Sequence, residues 1–328
     1  MTRTPASIRA AARTLLPGAS SSFSGTPVAL IAVLLWSFLM SVEVVADQTT
    51  SKVLVVNSDG AVEKYQVAQQ AFVESLGGPV KVLDLSRLSD REAQRAIRAE
   101  AASAVYGIGA RASVAASRAV RGRPVVISSV INWSRLPEAR SPRVHVVANE
   151  LSSESQLTMF RYFFPDVKRI GVLYSREYNR EWLESAVASG KGIGLEVIGI
   201  PVRSTRASET ALKSLLPKVD ALWVASDPVV LADETAVRRL FGAIAAARKP
   251  SFTYTSAFAG FGPTLIVAPD APTIGRQAAA ILRDASIGPI KQVQNPAGSE
   301  VILNLGAVRD YGLRLNDEAR DSVNRFIR

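Results

Sequence analysis

The chain has 328 residues, 48% of them hydrophobic and 21% charged. That balance excludes a disordered polymer, and the length suits two domains better than one core. There is no cysteine, which removes disulfides, thiolate metal sites, a cysteine nucleophile and a lipid-anchoring thiol. The formal net charge is +10, but the basic residues are scattered without a dense block. They read as a solvated basic surface, and no nucleic-acid partner is expected.

The N-terminus has a targeting pattern. Arg3, Arg9 and Arg13 precede the first acidic residue, Glu43, and residues 28–40 carry no charge. Val44-Val45-Ala46 supplies the small residue before a cut. A secretory signal over residues 1–46 is expected, cleaved after Ala46, with an uncleaved anchor as the alternative. The apolar run is shorter than the ~20 residues of a relaxed membrane span.

From residue 52 the chain alternates. Strands are expected at 52–57, 80–85, 103–108, 124–128 and 143–147, from continuous apolar runs that end on turn residues. Helices are expected at 62–76, at 89–101 behind the capping box Ser89-Asp-Arg-Glu92, and at 110–120. A second series follows. Its strands are expected at 169–174, 195–201, 221–225, 250–254, 264–267 and 301–303. Its helices are expected at 153–163, 180–189, 207–216, 231–247 and 274–283, with a closing helix at 316–327.

This rhythm implies βαβ units and a fold class of two Rossmann-like α/β lobes with parallel sheets flanked by helices. The break near Val147-Ala-Asn-Glu150 is the expected first boundary and hinge. Ligands of such sheets sit beyond the carboxyl ends of the strands, so the polar residues there are the candidate binding set. They are Ser58 and Asp59 after the first strand, Gly109 after the third, and Ser128, Ser129 and Asn132 after the fourth. In the second series they are Ser175, Tyr178, Asp227 and Ser256. Free N–H groups at the following helix starts suit a ligand carboxylate. Asp227 would offer charge to a ligand amine. Taken singly, Ser, Asn and Asp at these places also read as helix caps.

Catalytic chemistry has little to work with. His145 is the only histidine and falls inside an expected strand, so it reads as a packed residue. Gly107-Ile-Gly109 lacks the third glycine of a dinucleotide loop, Ser113 standing there, and no phosphate loop is present. Asp59 and Asp227 could converge across a cleft, but nothing marks them as catalytic. No enzyme activity, cofactor or metal is expected.

Several segments resemble one family. Gln156 to Tyr174, ending Phe-Pro-Asp-Val-Lys-Arg-Ile-Gly-Val-Leu-Tyr, resembles the start of the second lobe in substrate-binding proteins of ABC importers of the tryptophan/tyrosine type. Val219-Asp-Ala-Leu-Trp-Val-Ala-Ser-Asp227, Lys249-Pro-Ser-Phe, Ala268 to Ala279 and Val301 to Leu315 are similar to later segments. Ser129-Val-Ile-Asn132-Trp133 and Pro228 depart from the family's usual residues at those places. The resemblance implies a type I periplasmic binding fold with three interlobe crossovers. Lobe 1 would be 51–148 plus 270–298, and lobe 2 would be 149–269 plus 299–328. It further implies a soluble periplasmic monomer that takes a small ligand, an amino acid or similar compound, into the interlobe cleft by hinge closure. The ligand would pass to an ABC permease. An envelope sensor or accessory interaction protein with the same fold is the alternative.

Overall fold

The computed structural model describes residues 52–285 and 292–328; the expected signal at 1–46 lies outside them. The first sheet forms from β1 (Val53–Asn57), β2 (Val80–Asp84), β3 (Ala104–Ile108), β4 (Val125–Ser128), β5 (Val144–Val147) and β11 (Val293–Gln294). Its order is β11-β5-β4-β3-β1-β2, and every pairing is parallel. A parallel sheet must be covered on both faces, which is why its strands read as unbroken Val/Ile/Leu runs. The period of two divides each run between two cores. Leu54 and Val56 of β1 join the layer that includes Ala93 and Ile97. Val53 and Val55 join the opposite layer with Phe72 and Ile274.

Three helices follow the strands in order: α1 (Glu63–Leu76), α2 (Asp90–Ala99) and α3 (Ala110–Ala119). The capping box at the start of α2 forms as its sequence predicts. Ser89 Oγ accepts from the Glu92 N–H, and the Glu92 carboxylate accepts from the Ser89 N–H.

The second sheet contains β6 (Arg169–Tyr174), β7 (Glu196–Pro201), β8 (Ala221–Val224), β9 (Ser251–Thr253), β10 (Leu265–Pro269), β12 (Ser299–Asn304) and β13 (Arg325–Ile327). Its order is β13-β12-β10-β9-β8-β6-β7, parallel except where β12 runs antiparallel to β10. Its helices are α4 (Ser153–Phe163), α5 (Arg176–Gly192), α6 (Thr205–Leu215) and α7 (Glu234–Ala246). One face is an aromatic core. Phe160 of α4 stacks on Phe252 at 4.4 Å and meets Trp223 edge-on at 5.6 Å. The buried Trp223 indole donates to Gln156 Oε1 at 3.3 Å, which satisfies both groups.

The chain crosses between the sheets three times: after β5, between β10 and α8 (Ala271–Ala285), and between β11 and β12. Helix α8 packs along α1 and against β4 and β5, so it returns to the first sheet from a distant part of the chain. Gly275 sits at the closest approach of α8 to α1. A Cβ there would lie 2.1 Å from the carbonyl oxygen of Ala68 and 3.0 Å from the N of Phe72. Among the described residues, no helix is long and apolar enough to cross a membrane.

One expectation needs correction, and one element is additional. The closing helix at 316–327 is instead a 3-10 turn, Asp317–Ser322, followed by strand β13. Asn316 caps the turn through the Glu318 N–H. Asn324 then pairs with Val301 through its backbone N–H at 2.9 Å and its side chain at 2.7 Å, which pulls the chain onto the edge of β12. A short helix, α9 (Leu305–Asp310), capped by Asn304, has no counterpart in the sequence reading.

Gly275→Ala adds about 1 kcal/mol of helix propensity, but overlap with the α1 backbone outweighs it. The variant is expected to lose about 1–3 kcal/mol of stability by overpacking, read as a lower midpoint in urea unfolding.

Candidate functional site

The carboxyl ends of β4 and β5 and the first turns of α5 enclose a cavity of about 440 Å³ between the two sheets. The loop after β4 supplies Asn132, Trp133 and Ser134. The first crossover supplies residues 148–153, and α5 supplies Tyr178, Asn179, Glu181, Trp182 and Ser185. The β4 loop is bent by two non-glycine residues in the left-handed region, Ser129 at φ 58° and Asn132 at φ 54°. Such positions cost energy and persist only where the surroundings hold them. Here they launch the short 3-10 turn Trp133–Arg135 toward α5. The Arg135 guanidinium lies 3.9 Å over the Tyr178 ring and donates to the Glu177 carbonyl oxygen. Its ion pair with the Glu177 carboxylate is looser, at 3.7 Å.

Of the residues expected from sequence, Asn132 and Tyr178 line this cavity. Several others are engaged elsewhere. Ser58 Oγ donates to the Ile108 carbonyl at 2.8 Å and accepts from the Ala112 N–H at 2.9 Å, so it caps α3. Gly109 has φ 83°, and a Cβ there would sit 2.6 Å from Ser58 Oγ. The glycine serves turn and packing together. Ser128 is fully buried, with its hydroxyl 2.7 Å from the Tyr106 hydroxyl. Asp59 is half-buried and accepts from the Ala61 N–H at 2.9 Å. Ser256 opens the 3-10 turn Ser256–Phe261 after β9. Ser175 lines a different hollow, beside β7.

Asp227 departs most from expectation. It is 2% exposed. One carboxylate oxygen accepts from the Ser175 N–H at 2.6 Å and Asn179 Nδ2 at 2.8 Å. The other accepts from the N–H groups of Val229 at 2.9 Å and Val230 at 3.1 Å. Four donors leave the carboxylate no lone pair facing the cavity. It ties the end of β8 to the start of α5, and Asn179 reinforces that tie by donating to the Ser226 carbonyl at 2.9 Å.

Two charged side chains do line the cavity, Glu181 of α5 and Glu150 on the first crossover. Burial pushes the Glu150 carboxyl up to about 7, although hydrogen bonding to Ser226 works the other way. Burial likewise pushes the Tyr254 phenol up to about 12; a hydrogen bond to Ser226 opposes the shift and the Glu150 charge adds to it. Glu150, Ser226 and Tyr254 therefore form one cluster from the crossover and the ends of β8 and β9. From sequence, Glu150 marks only a boundary. The available signal was a lone acidic residue on a crossover, directly after a buried strand.

The sequence pattern of the ABC transporter substrate binding protein family matches residues 86–324, most of the chain. The chain belongs to the ABC transporter substrate-binding protein family. Solved structures agree on the fold. An ABC domain from Streptococcus pneumonia in complex with L-Trp is 18% identical, covering 85% of this chain and 100% of that one, with a TM-score of 0.58. The ligand-free, open form of a substrate-binding protein with adhesive properties from Clostridium difficile is 14% identical, covering 85% and 99%, with a TM-score of 0.68. A conserved domain protein from Vibrio cholerae is 18% identical, covering 85% and 100%, with a TM-score of 0.57. No curated protein matches the chain. Two mostly parallel sheets flanked by helices, in this order, make the type I periplasmic binding fold.

In this substrate-binding protein the strands β1 and β2 precede the matched region, whereas the cavity, Glu150 and Asp227 lie inside it. The two carboxylates differ by how many backbone donors reach them. Asp227→Ala strands those donors in the interior and is expected to cost about 3 kcal/mol or more. Chemical unfolding of the unliganded protein reads this directly; a residue acting only on ligand would leave the midpoint unchanged.

Proposed function

We propose that this is an exported solute-binding protein that captures a small amine-bearing solute, an amino acid or similar compound, in the cavity between the sheets. Residues 51–148 with 270–298 act as one lobe and 149–269 with 299–328 as the other. The crossover at Val147 to Glu150 is one strand of the hinge. After removal of residues 1–46 the protein works in the periplasm as a monomer and hands its solute to an ABC permease.

The cavity lining carries this reading. Its volume, about 440 Å³, falls in the range of small-ligand sites, roughly 300–1,000 Å³. Glu150 and Glu181 are the charged side chains on its wall, and both are acidic. The rings of Trp133, Tyr178 and Trp182 stand beside them. Carboxylates and aromatic faces together favour a ligand with an ammonium group and an apolar body. The similar pneumococcal domain holds L-Trp, a compound of that kind. Closure has a support of its own. Arg135, on the loop after β4, grips Tyr178 and Glu177 at the start of α5, a contact that opening the hinge would break.

Intrinsic fluorescence against an amino-acid panel tests the reading, because Trp133 and Trp182 both line the cavity. A saturable change with at least one amine-bearing member is expected. No response across the panel, with no thermal stabilisation, would sink it.

Glu150 gives the pH dependence a definite sign. Its carboxyl, at about 7, is charged above that pH and neutral below. Attraction for an ammonium group is present above about pH 7 and fades as the pH falls. Stability runs in the opposite sense. The raised value means the folded protein holds the proton more tightly than the unfolded chain does. That stabilisation is full below the ordinary carboxylate range and is lost as pH rises through about 7. Glu150→Gln should weaken amine binding about tenfold or more and flatten its pH profile. At about pH 8 the unliganded variant should melt higher than the parent chain. Calorimetric binding and thermal scans across pH separate the two effects.

A further inference from the structure

Helix α5 has a second face. Arg176, Glu177 and Arg180 point away from the interlobe cavity, one and two positions off the stripe of Tyr178, Trp182 and Ser185. With Ser175, Arg203 and the short apolar run at Pro201 and Val202, they line a hollow of about 630 Å³ at the carboxyl ends of β6 and β7. The hollow shares no lining residue with the interlobe cavity.

Its chemistry is the reverse of the cavity's. Three guanidiniums, from Arg176, Arg180 and Arg203, face one carboxylate, Glu177. That carboxylate is drawn to Arg135 on the other side. Among the described residues, none of the three arginines makes an ion pair or a side-chain hydrogen bond. Arg140 and Arg206 are likewise without an ion pair among the described residues; at this hollow three such guanidiniums line one recess. Ser175 adds an independent sign. The residue is 4% exposed and lines the hollow, yet its hydroxyl makes no capping hydrogen bond and, among the described residues, has no other hydrogen-bond partner. Its own N–H is spent on Asp227 from inside. The next N–H groups, of Arg176 and Glu177, are the orphan donors of the first helical turn.

We infer that this hollow is an oxyanion site, built to take a small multiply charged phosphate or carboxylate compound. The three guanidiniums supply charge and paired N–H donors, the Ser175 hydroxyl and the start of α5 supply neutral donors, and Val202 and Val229 form a dry wall. The buried Asp227 carboxylate lies under the helix start and offsets part of the charge, which leaves the arginines as the dominant attraction. The site does not rest on the amine reading of the interlobe cavity, because the residues are separate.

The test is titration calorimetry of the full chain with pyrophosphate and, separately, citrate, at low and matched ionic strength. Saturable one-site binding of either anion is expected. Arg180→Ala and Arg203→Ala should each weaken it about tenfold or more, and Ser175→Ala by a smaller factor. All three variants keep the parent's circular dichroism spectrum and cooperative thermal unfolding, which report that they fold. Absence of saturable binding by both anions overturns the proposal. So does binding whose constant is unchanged in both arginine variants, the result expected of diffuse attraction to a basic surface.

Discussion

The four hydrogen bonds on the Asp227 carboxylate position the start of α5, whose side chains line both the interlobe cavity and the hollow beside β7. Two donors come from the start of α5 and two from the turn after β8. An isolated helix start would place its side chains loosely. Held by a buried carboxylate, α5 begins at a fixed point beside β6, and Asn179 breaks its helical geometry at φ −129° to reach Asp227 and Ser226. A buried charge is tolerable only when fully hydrogen-bonded, so this arrangement is all or nothing. It fixes the direction in which Tyr178 and Trp182 meet the interlobe cavity and Arg176 and Arg180 meet the hollow beside β7.

The first half relies on backbone proximity instead. Gly275 brings α8 against α1 closely enough that no side chain fits between them. That contact recovers residues far along the chain for the first sheet, where β11 then adds to the edge of β5. Two crossovers are therefore held at their ends by packed elements, and the third leads into the aromatic core around Phe160 and Trp223. The few residues between these anchors, which include Glu150, are the connections least held by packed elements. A carboxylate placed there follows β5 of the first sheet along the chain and meets Ser226 and Tyr254 at the ends of β8 and β9 of the second.

Strands and helices were legible because a parallel sheet buried on both faces demands unbroken apolar runs, and those runs are unambiguous in β1, β3, β4 and β6. The start of α2 was legible from its capping box for the same local reason. The end of the chain was not. Residues 316–327 have helical spacing, but the edge of β12 leaves unpaired backbone groups that Asn324 satisfies, and sheet pairing overrides local preference. The site divides along similar lines. Sequence identifies polar residues at strand ends, yet a serine or aspartate there can cap, strut or face solvent. Ser58, Ser128 and Asp227 are consumed by donors and acceptors that come from other elements, and no one-dimensional pattern reports that. Glu150 was passed over for the converse reason. Its neighbours give it no motif, and its environment is assembled by β8 and β9 from some 75 to 105 residues further along.

A helix with opposite chemistry on two faces also explains why the contact of Arg135 sits where it does. Arg135 approaches α5 at Glu177 and Tyr178, the seam between the acidic aromatic cavity and the arginine-lined hollow. Stacking on Tyr178 places its positive charge at the cavity rim, beside the face whose own charges are Glu150 and Glu181. Drawing Glu177 toward itself removes negative charge from the hollow. One side chain thus offsets part of the acidic charge at the cavity rim and leaves the hollow more basic, and it does so only while the loop after β4 lies against α5. The strained residues Ser129 and Asn132 direct that loop, so the conformation of the first sheet's loop and the electrostatics of both recesses on the second are one linked variable.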